Sequence, residues 1–150
     1  MRVIIQKVKE AKVTIEGEVV GEIKKGYVLL VGFTHGDDHE ECDYCARKIA
    51  KMRLFEDEDG KMNLSLDQIN GQILSVSQFT LYAVTKKGNR PGFTEACDPE
   101  IANELYEYFN DQLRSYGYEV QIGNFGSHMN VSLQNDGPVT IILDSIANRQ

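Results

Sequence analysis

Apolar and polar positions alternate along much of this chain, and changes in their period mark its elements. "RVIIQKV" (2–8) reads as a strand. "KVTIEGEVVGEI" (12–23) alternates on both sides of Glu16-Gly17, a hairpin signal. "YVLLVGF" (27–33) is almost wholly apolar, which predicts a strand buried on both faces. From Asp37 the period lengthens to that of a helix. Asp37 and Glu40 form a capping-box-like start, and the pattern runs to about Met52, with Cys42, Cys45 and Ile49 on one face. "QILSVSQFTLYA" (72–83) predicts a second strong strand, and "TKKGNRPGFTEA" (85–96) a long polar loop. A second helix opens with Asp98 as N-cap and Pro99 at its first position. Its predicted stripe is Ile101, Ala102, Leu105, Tyr108, Phe109 and Leu113. "YEVQIGNF" (118–125), "HMNVSL" (128–133) and "VTIILDS" (139–145) close the chain as strands.

Seven or eight strands joined mostly by short turns, with two helices, predict an α+β fold. Its sheets should be mostly antiparallel and partly barrel-like, in a single domain over residues 1–150. Such sheets have edges that need cover, and dimerisation is one means. At 41% hydrophobic and 26% charged residues the composition is that of an ordinary globular protein. No apolar run approaches the roughly 20 residues that span a bilayer. The first residues interleave charge with apolar side chains and lack a signal peptide's apolar core, so a cytoplasmic location is expected. The net charge of −7 argues against a large basic surface for nucleic acid, but it leaves room for a local patch on a few phosphates.

Candidate chemistry is sparse. Cys42 and Cys45 form a C-x-x-C, yet the third cysteine, Cys97, is far off, and zinc needs about four ligands. The pair is read as part of a core face, and no metal is expected. "FEDEDGKMN" (55–63) looks briefly like a calcium loop. Counted from Asp57, however, its fifth and sixth positions are Lys61 and Met62 rather than a ligand and glycine. His35, His39 and His128 belong to no metal motif, and neither a G-x-S-x-G elbow nor a P-loop occurs. Two stretches remain unusual. "SQFTL" (77–81) gathers hydroxyls and an amide at the end of a buried strand, just before three cations. "QNDGPVT" (134–140) sets Gly-Pro between two strands, where it is either a hairpin turn or a unit held in a special geometry.

"VSQFTLYA" followed by "KKGNRPGF" and then "NVSLQNDGPVTIIL" resembles the D-aminoacyl-tRNA deacylases. "MRVIIQKVKEAKVTIEGEVVGEIKKG" and "DEDGKMNLS" extend the likeness over residues 1–145, leaving the tail "IANRQ" outside it. The resemblance implies a homodimeric hydrolase, with no cofactor, that cleaves the ester between a D-amino acid and the terminal adenosine of tRNA. Achiral glycyl esters, including glycine mischarged on tRNA-Ala, are implied substrates too. It further implies that Gly137-Pro138 is cis and enters the partner subunit's pocket, where backbone excludes an L side chain. Ser77, Gln78, Phe79 and Thr80 would form the other wall. Ser77 and Gln78 would hydrogen bond, and Phe79 would pack the pocket or the surroundings of the adenine. Thr80 is a nucleophile by type, but no base is visible to activate it. The protein would position the ester and offer backbone N–H groups to the oxyanion, with the adenosine 2′-hydroxyl assisting. Lys86, Lys87 and Arg90 would hold acceptor-stem phosphates. Two other readings compete: a non-catalytic tRNA-binding protein on the same fold, and a metal-dependent hydrolase using Cys42, Cys45 and His39.

Overall fold

Every second residue of the first strand is buried at its start (Val3, Ile5), which fixes one face against helices. The computed structural model describes residues 1–149. Its strands are β1 (Arg2–Ile15), β2 (Glu18–Ile23), β3 (Gly26–Gly32), β4 (Phe55–Glu56), β5 (Met62–Leu64), β6 (Gln72–Ser77), β7 (Val120–Ile122) and β8 (Asn130–Asp144). Its helices are α1 (His39–Lys51), α2 (Pro99–Ser115) and a short α3 (Ser145–Arg149). The predicted hairpin joins β1 to β2, with Glu16 and Gly17 both at positive φ as a two-residue turn requires.

The main sheet runs β2-β1-β3-β6-β7, with β8 along the other edge of β1. β1 pairs antiparallel with β2, β3 and β8, and β4 with β5. The β3–β6 and β6–β7 pairs are parallel, with α1 and α2 lying in the connections between them. The expectation of a mostly antiparallel α+β fold therefore holds, with a parallel portion that short-turn reasoning did not foresee. One sheet face packs Val3, Ile5, Tyr27, Leu29 and Val31 against both helices. The other gathers Val8, Val13, Ile23, Val28, Leu74 and Val76 into a second core as the sheet curls on itself. Gly21 permits that closure: a Cβ there would meet the Ile122 carbonyl oxygen at 2.8 Å. The sheet is thus nearly a barrel, and β3 is buried on both faces as its apolar run predicts.

Several local expectations are corrected. The first and last strands are each continuous where the sequence suggests breaks. The cap of α1 is Asp38, which accepts from the Glu40 N–H at 3.0 Å. Asp37 instead turns inward, accepting from the Thr34 N–H and pairing with the buried Met1 ammonium at 2.8 Å. Asp98 is the N-cap of α2 with Pro99 opening the helix, as predicted, but its side chain makes no capping bond. On α2, Ile101 is 49% exposed, while Tyr106 is buried and donates to the Ser75 carbonyl. The strand predicted over 72–83 stops at Ser77, and the following residues form a 3₁₀ turn, Phe79–Tyr82.

Candidate active site

The end of β6 is shaped by its neighbour. Ser77 pairs with Val31 of β3, and the Gln78 N–H donates to the Val31 carbonyl at 2.7 Å. The chain then leaves the sheet in the 3₁₀ turn. Gly32 allows this, since a Cβ there would come within 2.9 Å of the Gln78 carbonyl oxygen. Ser77, Gln78, Phe79 and Thr80 therefore sit at the carboxyl ends of the parallel β3–β6 pair, the common location for ligand sites in such sheets.

Within this turn the Gln78 amide donates to the Thr80 hydroxyl. Leu81 and Ala83 N–H groups bond back to Gln78 and Thr80. The leading N–H groups, those of Phe79 and Thr80, have no acceptor within the turn, as at any helix start. The Phe79 ring is 56% exposed and meets Phe93 edge-on at 5.1 Å. That contact ties the turn to the basic loop, which is closed by paired Val84 and Gly92 backbone bonds. Lys86, Lys87 and Arg90 are exposed at its tip. Arg2 braces the turn from behind. Its guanidinium donates to the Leu81 carbonyl at 2.7 Å, pairs with Asp144 at 3.0 Å and lies over the Tyr82 ring.

Gly137 and Pro138 are not in a hairpin. Both flanks of β8 continue along the same partner, with Thr140 opposite Gln6 and Asn135 opposite Val8. Two steps along β1 are matched by five along β8, so the residues between bulge out of the edge. The Gly137-Pro138 bond is cis, and both residues are exposed. Asn135 clamps the base of the bulge: its amide donates to the Lys7 carbonyl at 2.8 Å and to the Val139 carbonyl at 2.9 Å.

These two elements do not meet within one chain. Ser77 aligns through Val31 and Val3 with Leu143, whereas the bulge lies at the level of Lys7. Four residues along the strand direction and three strand spacings across it separate them by roughly 20 Å. Cys42 and Cys45 are buried in the α1 core face, as the pattern predicts, and burial pushes both thiols up to about 12. His39 stacks on Tyr108 instead of approaching them as a ligand set. Among the described residues no group of three or more His, Cys, Asp or Glu is placed to hold a metal. Asp57 accepts from the N–H groups of Lys61 and, more weakly, Asp59, which holds its carboxyl below the usual range and makes the 57–61 segment a self-capped turn.

Sequence reasoning missed Arg2, Gly32, Phe93 and Asn135. Asn135 carried a readable signal, since Asn before Asp-Gly often bonds nearby backbone. The roles of Arg2 and Phe93 arise from long-range contacts that leave no local pattern.

An α+β domain with a polar turn at the carboxyl ends of two parallel strands, a basic loop beside it and a bulged free edge is the class that fold and site define. The family described as D-Tyr-tRNA(Tyr) deacylase matches residues 4–144, and the chain belongs to it. A D-aminoacyl-tRNA deacylase of Exiguobacterium sibiricum is 58% identical over 96% of this chain and 99% of its own length. Among solved structures, that of a c-Myc DNA Unwinding Element Binding Protein superposes with a TM-score of 0.90 at 41% identity, covering 96% of this chain and 98% of that one. A probable eukaryotic D-amino acid tRNA deacylase shares the fold, with a TM-score of 0.83 at 16% identity over 95% and 97% of the two chains.

Proposed function

We propose that the chain hydrolyses the ester bond of D-aminoacyl-tRNA, releasing free D-amino acid and tRNA, at a pocket built from two subunits. The 58% identity to a named D-aminoacyl-tRNA deacylase over nearly the full chain carries the activity. The separation of the Ser77–Thr80 turn from the Gly137-Pro138 bulge supports the crossed pocket. An ester site needs water and orientation controlled, and one chain leaves Phe79 open on one side. A second chain, related by a two-fold axis, can bring its bulge to that opening, and the reverse contact follows by symmetry.

In this arrangement the Phe79 and Thr80 N–H groups hold the oxyanion, and Ser77 and Gln78 position the ester. The bulge presents backbone acceptors to the substrate α-amino group and fills the direction an L side chain would take. Gly137 adds no side chain to crowd the substrate. Glycyl esters, such as glycine mischarged on tRNA-Ala, have nothing for the bulge to reject and are cleaved as well. Lys86, Lys87 and Arg90 meet phosphates near the 3′ end. No cofactor enters this scheme, and the reaction belongs in the cytoplasm, where aminoacyl-tRNA is used.

The test is deacylation of matched D- and L-tyrosyl-tRNA. The D-ester and glycyl-tRNA should be hydrolysed and the L-ester spared; equal rates on both hands would sink the chiral pocket. A second reading is nucleic-acid binding without turnover, favoured by the likeness at 41% identity to a DNA-element binding protein. It predicts tRNA binding and no release of amino acid from either ester.

A further inference from the structure

The far end of α1 carries a run of positive charge that the proposed pocket does not use. Arg47, Lys48, Lys51 and Arg53 fall within seven residues, and no carboxylate occurs between Asp43 and Glu56. All four residues are exposed, and among the described residues none is in an ion pair. The helix dipole accounts for Lys48 and Lys51, which lie in the last turn of α1. It does not account for Arg47, one position before that turn, or for Arg53 beyond the helix end.

Aromatic rings accompany these cations. Arg47 and Lys48 lie 5.7 and 5.9 Å from the centre of the Tyr44 ring. Lys51 and Arg53 line a hollow of about 340 Å³ with Ser65, Tyr116, Tyr118 and a single carboxylate, Asp67. The Tyr118 hydroxyl donates to the Ala50 carbonyl and fixes one wall, while Tyr116 is 43% exposed. On a chain of net charge −7, such a segregated patch is a local attractive field for a polyanion.

The location of the patch gives it a target. Phe55, two residues past Arg53, stacks on Tyr27, and the Lys7 ammonium lies 5.3 Å from the Phe55 ring. The Lys7 carbonyl is the one that Asn135 clamps at the base of the bulge. The patch thus shares the bulge's end of the sheet, roughly 20 Å from it by chain geometry. It lies at the opposite end from Lys86, Lys87 and Arg90.

We infer that Arg47, Lys48, Lys51 and Arg53 form a second phosphate-contact surface, which grips the stem of a tRNA whose 3′ end occupies the partner's pocket. The inference rests on the deacylase reading and its crossed pocket. The ligand is the backbone of an RNA helix, met without base readout.

The test uses the full-length dimer with Lys51→Ala/Arg53→Ala, and separately Arg47→Glu/Lys48→Glu. Each is assayed on D-tyrosyl-tRNA and on the stemless D-tyrosyl ester of adenosine across a range of salt. Both variants should lose about tenfold in kcat/KM on tRNA at low salt, and their salt slope should flatten by close to one per lost contact. The stemless ester should be cleaved at the wild-type rate. A parallel fall on both substrates, or an unchanged slope, overturns the proposal. Competition by polyglutamate but not by uncharged tRNA also overturns it, assigning the patch to an acidic protein. Failure of the deacylase reading looks different, because the wild type would then cleave neither ester. Mixed dimers locate the patch. With Gln78→Ala and Lys51→Ala/Arg53→Ala on one chain and a wild-type partner, the surviving pocket should show the salt defect. With the two sets on opposite chains it should not. The reverse result overturns the cross-subunit placement.

Discussion

Thr80 is the hydroxyl best placed by type to attack an ester, yet its surroundings do not activate it. Its side-chain partner is the Gln78 amide, and neither end of a carboxamide is a base. Thr80→Ala should therefore retain kcat within about tenfold, whereas loss of a true nucleophile costs many orders of magnitude. Single-turnover release of D-tyrosine measures this, and complete loss with tRNA binding intact would make Thr80 the nucleophile. The buried cysteines lead to a different expectation. Folding raises both thiols to about 12, so above the unfolded value near 8.5 the unfolded chain releases protons that the folded chain keeps. Stability from this source is full below about pH 8.5 and is lost as pH climbs toward 12. Burial raises Tyr27 and Tyr82 as well, and they add to the loss above about pH 10. The urea midpoint should fall between about pH 8 and 10.5, and Cys42 and Cys45 should resist alkylation until the chain unfolds. Their core placement was readable from helical spacing, because burial follows the period. The choice of Asp38 over Asp37 as the cap was not readable. Both are aspartates, and a tertiary partner, the Met1 ammonium, decides between them.

At the level of elements, the breaks in the apolar pattern mark bulges and not strand ends. Around Lys9-Glu10 in β1 and Asp136-Val139 in β8, residues leave the ladder while the strands go on. A proline and a loss of alternation look alike in sequence whether the chain turns back or merely bulges. Pairing with a strand more than a hundred residues away settles the matter, and single-sequence patterns do not contain that contact. The early end of β6 has a similar origin, since β3 gives the Val31 carbonyl to the Gln78 N–H and Gly32 leaves room for the turn. The two motifs were legible, but the distance between them was not. Asn135→Ala removes the donor for two backbone carbonyls and should destabilise the protein by about 1–3 kcal/mol. It should lower D-ester cleavage at least tenfold, with faster amide exchange confined to Asp136, Gly137 and Val139. Unchanged exchange there would mean that the bulge is held by something else. Gly137→Ala places a Cβ 2.7 Å from the Val139 Cγ2 at a φ of +124, a conformation that costs a non-glycine residue about 1–3 kcal/mol. A folded chain with poor activity on D-esters is expected, read by circular dichroism beside the deacylation assay.

The whole molecule poses the question of whether a second chain completes the pocket. β8 is a long free edge, with Ile142 68% exposed and the bulge pointing off the sheet, and free edges invite a partner. If the bulge of one chain closes the Ser77–Thr80 turn of the other, activity and dimerisation should fall together on dilution. A mixed dimer decides the connection. One chain carries Gly137→Ala and the other Gln78→Ala, and each homodimer is nearly inactive because both of its pockets are damaged. In the crossed arrangement the mixed dimer holds one pocket with both damaged elements and one with neither. It should then recover about half the wild-type rate on D-tyrosyl-tRNA. If each pocket is built within a single chain, both pockets of the mixed dimer keep one damaged element and no activity returns. The two chains can carry different affinity tags, so that only the mixed species is assayed. An inactive mixed dimer, isolated as such, would leave the deacylase activity standing and remove the bulge from the partner's pocket.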